Sequence, residues 1–147
     1  MRVEVLWTGK TRLPGVAALT EEYSKRLGHY CEFHACELRL ARKRRASEED
    51  AMLARSEGSY RVVLDPAGKS WTSREFSGWL GRLRDRAQRT VCFCVGGADG
   101  FSKGFRDHAA LLLSLSPLTL PHELARVVLL EQIYRGFTTL ANHPYPR

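Results

Sequence analysis

Twelve consecutive residues constrain this chain more than any others: Val91-Cys92-Phe93-Cys94-Val95-Gly96-Gly97-Ala98-Asp99-Gly100-Phe101-Ser102. Val91 to Val95 are small or apolar without interruption, the pattern of a strand buried on both faces. Three glycines follow within five residues, and Ser102 can then cap a helix. Such a strand, turn and helix belong to an open α/β sheet, where ligands sit outside the carboxyl ends of the strands. Glycine there lets a ligand approach the backbone closely. The stretch therefore predicts a central strand and a small-molecule site at its end, although glycine-rich turns are often only turns.

The remaining pattern alternates strands and helices. Val3, Val5 and Trp7 share one face of a strand over Arg2 to Trp7. Pro14 suits a first helical turn, with Val16, Leu19, Tyr23 and Leu27 at helical spacing before Gly28. Tyr30 to Leu38 reads as a second strand. Ser47-Glu48-Glu49-Asp50 resembles a capping box opening a short helix that Gly58 ends. Tyr60 to Leu64 is a third strand, closed by a turn at Asp65-Pro66-Ala67-Gly68. Gly68-Lys69-Ser70 ends like a P-loop, but Val63 stands where that motif needs glycine, so nucleotide-triphosphate chemistry is rejected. Thr72 or Ser73 caps a helix whose stripe is Phe76, Trp79, Leu80, Leu83 and Ala87. A helix is expected from Lys103 to Leu112, then an irregular Leu115 to Leu120, where Pro117 disfavours full strand pairing. The last helix, His122 to Leu140, is apolar around too much of its circumference for one stripe. It is expected to be buried on two sides, and the second could be another subunit. The whole, 1–147, reads as one α/β domain with a mainly parallel sheet.

Charge narrows the partners. The net charge is +7, and Arg39, Arg42, Lys43, Arg44 and Arg45 fall within seven residues without an acidic neighbour. Such a run favours phosphate contact, hence RNA binding, over a merely solvated loop. No apolar run is long enough for a membrane span, and Glu4 interrupts the start as no signal peptide would. Cys31, Cys36, Cys92 and Cys94 match no zinc spacing. No metal is expected, and the thiols read as small hydrophobes in a reducing cytoplasm.

Four motifs near the end carry a resemblance. They are Gly96-Gly97-Ala98-Asp99-Gly100; Leu115-Ser116-Pro117-Leu118-Thr119-Leu120-Pro121-His122; Glu131-Gln132-Ile133-Tyr134-Arg135; and Asn142-His143-Pro144-Tyr145. In this order and spacing they resemble the RlmH family of SPOUT methyltransferases, and the likeness extends over the whole chain. The resemblance implies a Rossmann-like, mainly parallel sheet whose C-terminal part forms a deep trefoil knot. It implies S-adenosylmethionine as cofactor, held by backbone groups at Leu64, at Gly96, and at Leu115, Ser116, Pro117, Leu118, Thr119 and Leu120. It implies a homodimer with shared active sites, and methylation of N3 of a pseudouridine in 23S rRNA on assembled ribosomes. His143 is the first candidate base, with Tyr145 and Arg147 as orienting or charge-stabilising groups. His122 and Glu123 are second candidates, and Asn142 and His143 could instead simply end the helix. The family tail carries a second histidine where this chain has Pro146. Two other classes stay open: a ribosome-binding factor of the same fold that no longer methylates, and a plain Rossmann enzyme. The second lacks its glycine fingerprint after the first strand.

Overall fold

Val91 to Val95 are at most 4% exposed, and the strand they build is the middle one of five. A computed structural model describes residues 1–40 and 44–145. Its elements are β1 (Arg2–Thr8), α1 (Pro14–Leu27), β2 (Glu32–Leu38), α2 (Arg45–Arg55), β3 (Tyr60–Ser70), α3 (Ser73–Asp85), β4 (Thr90–Cys94), α4 (Lys103–Arg106), β5 (Leu111–Ser114) and α5 (His122–Leu140). The strands lie in the order β2-β1-β4-β3-β5, and every neighbouring pair is parallel. All five carboxyl ends therefore open on one edge.

Alternation along β4 divides the core in two. Val91, Phe93 and Val95 join Val3, Val5 and Val62 under α1, α3 and α5, where Phe76, Trp79, Leu130 and Ile133 are buried. Cys92 and Cys94 face the other way, with Leu6, Met52, Val63, Phe101 and Phe105 under α2 and α4. All four cysteines are free, and the strand pair is fully buried, as expected of small hydrophobes. Among the described residues no helix is long and apolar enough to cross a membrane.

Several boundaries differ from the sequence expectation. α2 begins at Arg45, with Arg44 at the N-cap and no side-chain cap bond, so Ser47 opens no capping box. The helix starts two residues before Ser47, which therefore stands inside its first turn, and Glu49 serves Ser102 instead. The true capping box is Thr72 with Glu75 at the start of α3. β3 does not stop at Leu64. Asp65 Oδ1 accepts from the Ala67 N–H at 2.8 Å, which folds a bulge into the strand, and pairing resumes as Lys69 meets Leu113 and Ser70 meets Ser114. The helix expected to Leu112 ends at Arg106, because Leu111 to Ser114 pair with β3 as an edge strand. The strand stops before Pro117, which lacks the N–H that a ladder needs.

Two contacts fix how these pieces cross. A Cβ at Gly68 would stand 2.6 Å from Leu112 C and 2.6 Å from Leu113 N, both backbone atoms. The bulge of β3 and the chain of β5 touch main chain to main chain, and only glycine fits between them. α5 packs against α3 along Gly136 and Leu80, and against α1 through Tyr134 and Tyr23. Its broad apolar surface is thus largely consumed within the chain, and does not by itself require a second subunit.

Candidate cofactor loops and the C-terminal tail

The parallel register gathers the predicted cofactor residues. Val63 lies opposite Cys94, and Leu64 opposite Leu113, so Leu64, Gly96 and Leu115 emerge side by side at the carboxyl edge. Gly96 is covered by Phe101, whose ring would lie 3.1 Å from a Cβ there. Phe101 stacks on Phe105 at 4.3 Å. Ser102 caps α4 by accepting from the Phe105 N–H, while its own N–H and Oγ–H donate to Glu49 at 2.7 and 2.5 Å. α2 is thereby latched to the glycine turn.

The loop after β5 holds itself with little help. Ser114 Oγ donates to the Ser116 carbonyl, and the Leu118 N–H donates to Ser116 Oγ at 2.9 Å. Among the described residues the N–H groups of Thr119 and Leu120 have no protein partner, and Leu118 is 76% exposed. Beside this loop a cavity of about 170 Å³ is lined by Trp71, Phe76, Leu115, Val128 and Gln132. Apolar walls with free backbone donors suit the adenine and ribose of S-adenosylmethionine in kind. The volume falls below the ~300 Å³ usual for small-molecule pockets, and exposed Leu118 leaves one wall open.

The tail stands elsewhere. Asn142 takes a positive φ of 54°, which ends α5, and the His143 N–H donates to the Thr138 carbonyl. His143 Nδ1 lies 2.5 Å from the Tyr30 hydroxyl, and its Nε2 has no partner among the described residues. Burial, followed by the contact with Tyr23, raises the Tyr145 phenol above its ordinary value. Tyr145 is therefore a protonated donor at neutral pH. The Arg135 guanidinium lies 4.8 Å over its ring and pairs with Glu131 at 2.6 Å. Tyr145, Arg135 and Arg74 border a groove of about 850 Å³ between α3 and α5.

Tyr30 precedes β2, so His143 sits at the amino edge of the sheet. The cofactor loops sit at the carboxyl edge. β4, five residues long, separates the two edges by ~17 Å at ~3.3 Å per residue. Among the described contacts of one chain, none joins His143 to its own loops. Arg147 lies outside the described residues, as do Arg42 and Lys43 of the basic run. Arg39 is exposed and pairs with Glu37 at 3.2 Å, Arg44 is exposed, and Arg45 is 3.8 Å from Glu49. These three follow β2 and open α2, on the same edge as the cofactor loops.

Glu123 is not the base that its position in the sequence allowed. It is buried, and its Oε1 accepts from the N–H groups of Arg12 and Leu13 at 3.1 Å each. The Leu13 bond first, then the Arg12 bond against the opposing effect of desolvation, hold its carboxyl below the usual range. One turn on, Arg126 is 2% exposed, with its guanidinium 4.0 Å over the Trp7 ring and Nη2 donating to Thr11 at 2.7 Å. Sequence reasoning missed this anchor. The three-residue spacing of Glu123 and Arg126 was its only visible trace. Among the described residues no cluster of side chains could hold a metal ion.

A family model described as "Predicted SPOUT methyltransferase" matches residues 1–146. Ribosomal RNA large subunit methyltransferase H of Koribacter versatilis is 39% identical over 150 residues, which cover 99% of this chain and 97% of that one. Two solved structures share the fold. A tRNA methyltransferase from Aquifex aeolicus has a TM-score of 0.60 at 12% identity, covering 100% of this chain and 74% of its own. A Legionella pneumophila chain in complex with bound SAM has a TM-score of 0.53 at 17% identity, covering 92% of this chain and 66% of its own.

Proposed function

Because this chain belongs to the family of SPOUT methyltransferases, we propose that it uses S-adenosylmethionine to methylate large-subunit ribosomal RNA in the cytoplasm, at N3 of a pseudouridine on assembled ribosomes. The observation that carries the reading is kinship over the full length with a large-subunit ribosomal RNA methyltransferase. The grouping of Leu64, Gly96 and Leu115 at one edge supports it.

Bound S-adenosylmethionine supplies a methyl group already activated on a sulfonium. The chain must therefore hold and orient, and must accept one proton. Leu64, Gly96 and the segment Leu115 to Leu120 would line the cofactor with backbone and apolar side chains. Positioning of the ring nitrogen in line with the methyl carbon supplies much of the rate. The N3 proton goes to His143 through Nε2, with Nδ1 oriented by Tyr30. Protonated Tyr145 and cationic Arg147 stabilise the anionic ring. The reading includes a trefoil knot in the C-terminal part of the chain.

The reading also includes a homodimer. His143 and the cofactor loops stand at opposite edges of one sheet, so a productive site pairs the loops of one chain with the tail of its partner. Leu13, Leu118 and Leu124 are 55%, 76% and 45% exposed, and Glu123 holds the first and last of them close together. Exposed leucines of this kind suit a second copy. It would also close the open side of the cofactor cavity.

The test is methyl transfer from labelled S-adenosylmethionine to ribosomes lacking the modification, with naked RNA alongside. Incorporation into ribosomes alone is the expected result. Ribosome binding without incorporation would instead favour a binding factor of the same fold, a reading that Pro146 keeps in play. Sedimentation of a monomer at assay concentration would remove the shared site.

A further inference from the structure

A second recess opens on the carboxyl edge, between the ends of β1 and β2, and neither the cofactor nor the tail uses it. Its volume is about 280 Å³, and Thr8, Gly9, Lys10, Glu37, Arg39 and Glu48 line it. We propose that it holds one unpaired nucleotide of the substrate RNA, a neighbour of the methylated one. The proposal rests on the reading of the chain as a ribosomal RNA methyltransferase.

Its size comes first. The volume falls just under the ~300 Å³ at which small-molecule sites begin, which limits its occupant to about one nucleotide. Its polar groups come second. Glu37 is already engaged, accepting from the Thr11 N–H at 3.2 Å and pairing with Arg39. The Lys10 ammonium and the Glu48 carboxylate have no hydrogen-bond or ion-pair partner among the described residues. An unpaired cation suits a phosphate. A free carboxylate suits a base N–H or a ribose hydroxyl. The recess thus offers one group to each half of a nucleotide.

Rigidity is the third observation. The loop that carries Lys10 is pinned just beyond it. Thr11 is held by Glu37 and by buried Arg126, and Arg12 and Leu13 are held by Glu123. A loop fixed in advance loses little freedom on binding.

Position decides which nucleotide is held. The Val95 N–H donates to the Leu6 carbonyl, so the end of β1 runs beside Gly96. The recess lies about two strand spacings, ~10 Å, from the gap between β4 and β3. A base that receives a methyl group must come within ~3–3.5 Å of it. The nucleotide in the recess is therefore a neighbour along the strand. Arg39 lines the recess, and Arg44 and Arg45 at the start of α2 continue the path of the backbone. Lys10 and Glu48 are positioning residues in this scheme, and they set which sequence is presented.

The experiment measures methyl transfer to unmodified ribosomes by Lys10→Met, Glu48→Gln and Lys10→Arg. Each is run beside calorimetry with S-adenosylmethionine and an amide-resolved NMR titration with uridine 5′-monophosphate. Lys10→Met should raise KM for ribosomes about tenfold, with kcat within twofold and cofactor affinity unchanged. Glu48→Gln should do the same to a smaller degree, and Lys10→Arg should restore KM. The nucleotide should shift the amides of Gly9, Lys10 and Leu40 in the wild type and not in Lys10→Met. An unchanged KM, or nucleotide shifts that avoid this loop, would overturn the proposal. If the wild type itself transferred no methyl, the parent reading would fail. The nucleotide titration would then still decide the recess by itself.

Discussion

Gly68→Ala is the sharpest test of how β3 and β5 cross. The new Cβ would lie 2.6, 2.6 and 2.7 Å from Leu112 C, Leu113 N and Leu112 O. Ordinary contact begins near 3.4 Å, so one chain must retreat by about 0.8 Å. None of the three atoms can swing aside, because all belong to the backbone of a paired strand. Overpacking costs about 1–3 kcal/mol, and a clash with main chain falls at the upper end. Alanine also restricts the unfolded chain, which returns ~0.4–1 kcal/mol. The net loss is ~2 kcal/mol, a fall in Tm of about 4–8 °C for a chain of this size. β5 leads directly into Leu115 to Leu120, so affinity for S-adenosylmethionine should fall with it. Gly15→Ala is the control, since that glycine opens onto empty space in the first turn of α1 and should gain stability. Thermal unfolding and calorimetry read both variants. A Gly68→Ala protein melting within 2 °C of the wild type, with unchanged cofactor affinity, would refute the main-chain crossing.

Other consequences are simpler to state. Glu49→Ala leaves the Ser102 N–H and hydroxyl without their acceptor, at ~2 kcal/mol, and should lower Tm by about 4–8 °C; a change under 1 °C would mean the latch carries no load. Glu123 has a lowered carboxyl pKa in the folded state, so its contribution is present above the unfolded value near ~4.3 and is lost as pH falls through the folded value. Glu123→Gln should therefore flatten the acid limb of Tm against pH, and an unaltered limb would contradict the assignment. Burial pushes the Cys31 thiol up to about 11, so alkylation there should be slow at pH 8 and quicken only in strong base, as peptide mapping would show. Replacing Arg42, Lys43, Arg44 and Arg45 by Gln should weaken ribosome binding and reduce its salt slope by ~0.7–0.9 for each phosphate no longer neutralised; an unchanged slope would make the run a solvated surface.

Much of this fold was legible because periodicity and punctuation agreed. Pro14 opens α1, Thr72 caps α3, and the uninterrupted apolar run over Val91 to Val95 is the central strand. The failures share a cause. Leu111 to Ser114 is apolar on nearly every residue, so periodicity does not separate a short strand from helix, and only pairing with β3 decides it. Ser47 to Asp50 has capping chemistry, but the helix already starts at Arg45, which leaves Ser47 inside its first turn. Gly68 looked like turn punctuation, whereas its smallness serves a crossing with a strand 44 residues later in the chain. For the candidate site, the three loops were named through motif resemblance, and parallel register sets them side by side. The position of His143 at the opposite edge follows from Tyr30 and Thr138, long-range partners that no spacing announces.

The pairing of β5 with β3 also has a consequence for synthesis. β5 is made after β4, yet its place is on the far side of β3, at the end of the sheet. At about 5–20 residues per second, the last 37 residues, 111 to 147, take roughly 2–7 s to appear. Throughout that interval β3 is an open edge available to any other extended chain. α5, whose Ile133 and Phe137 complete the larger core, is missing as well. The arginine-rich run has already emerged by then. A chain released early would carry the arginine-rich run, but neither the Leu115 to Leu120 segment proposed to hold the methyl donor nor the C-terminal tail.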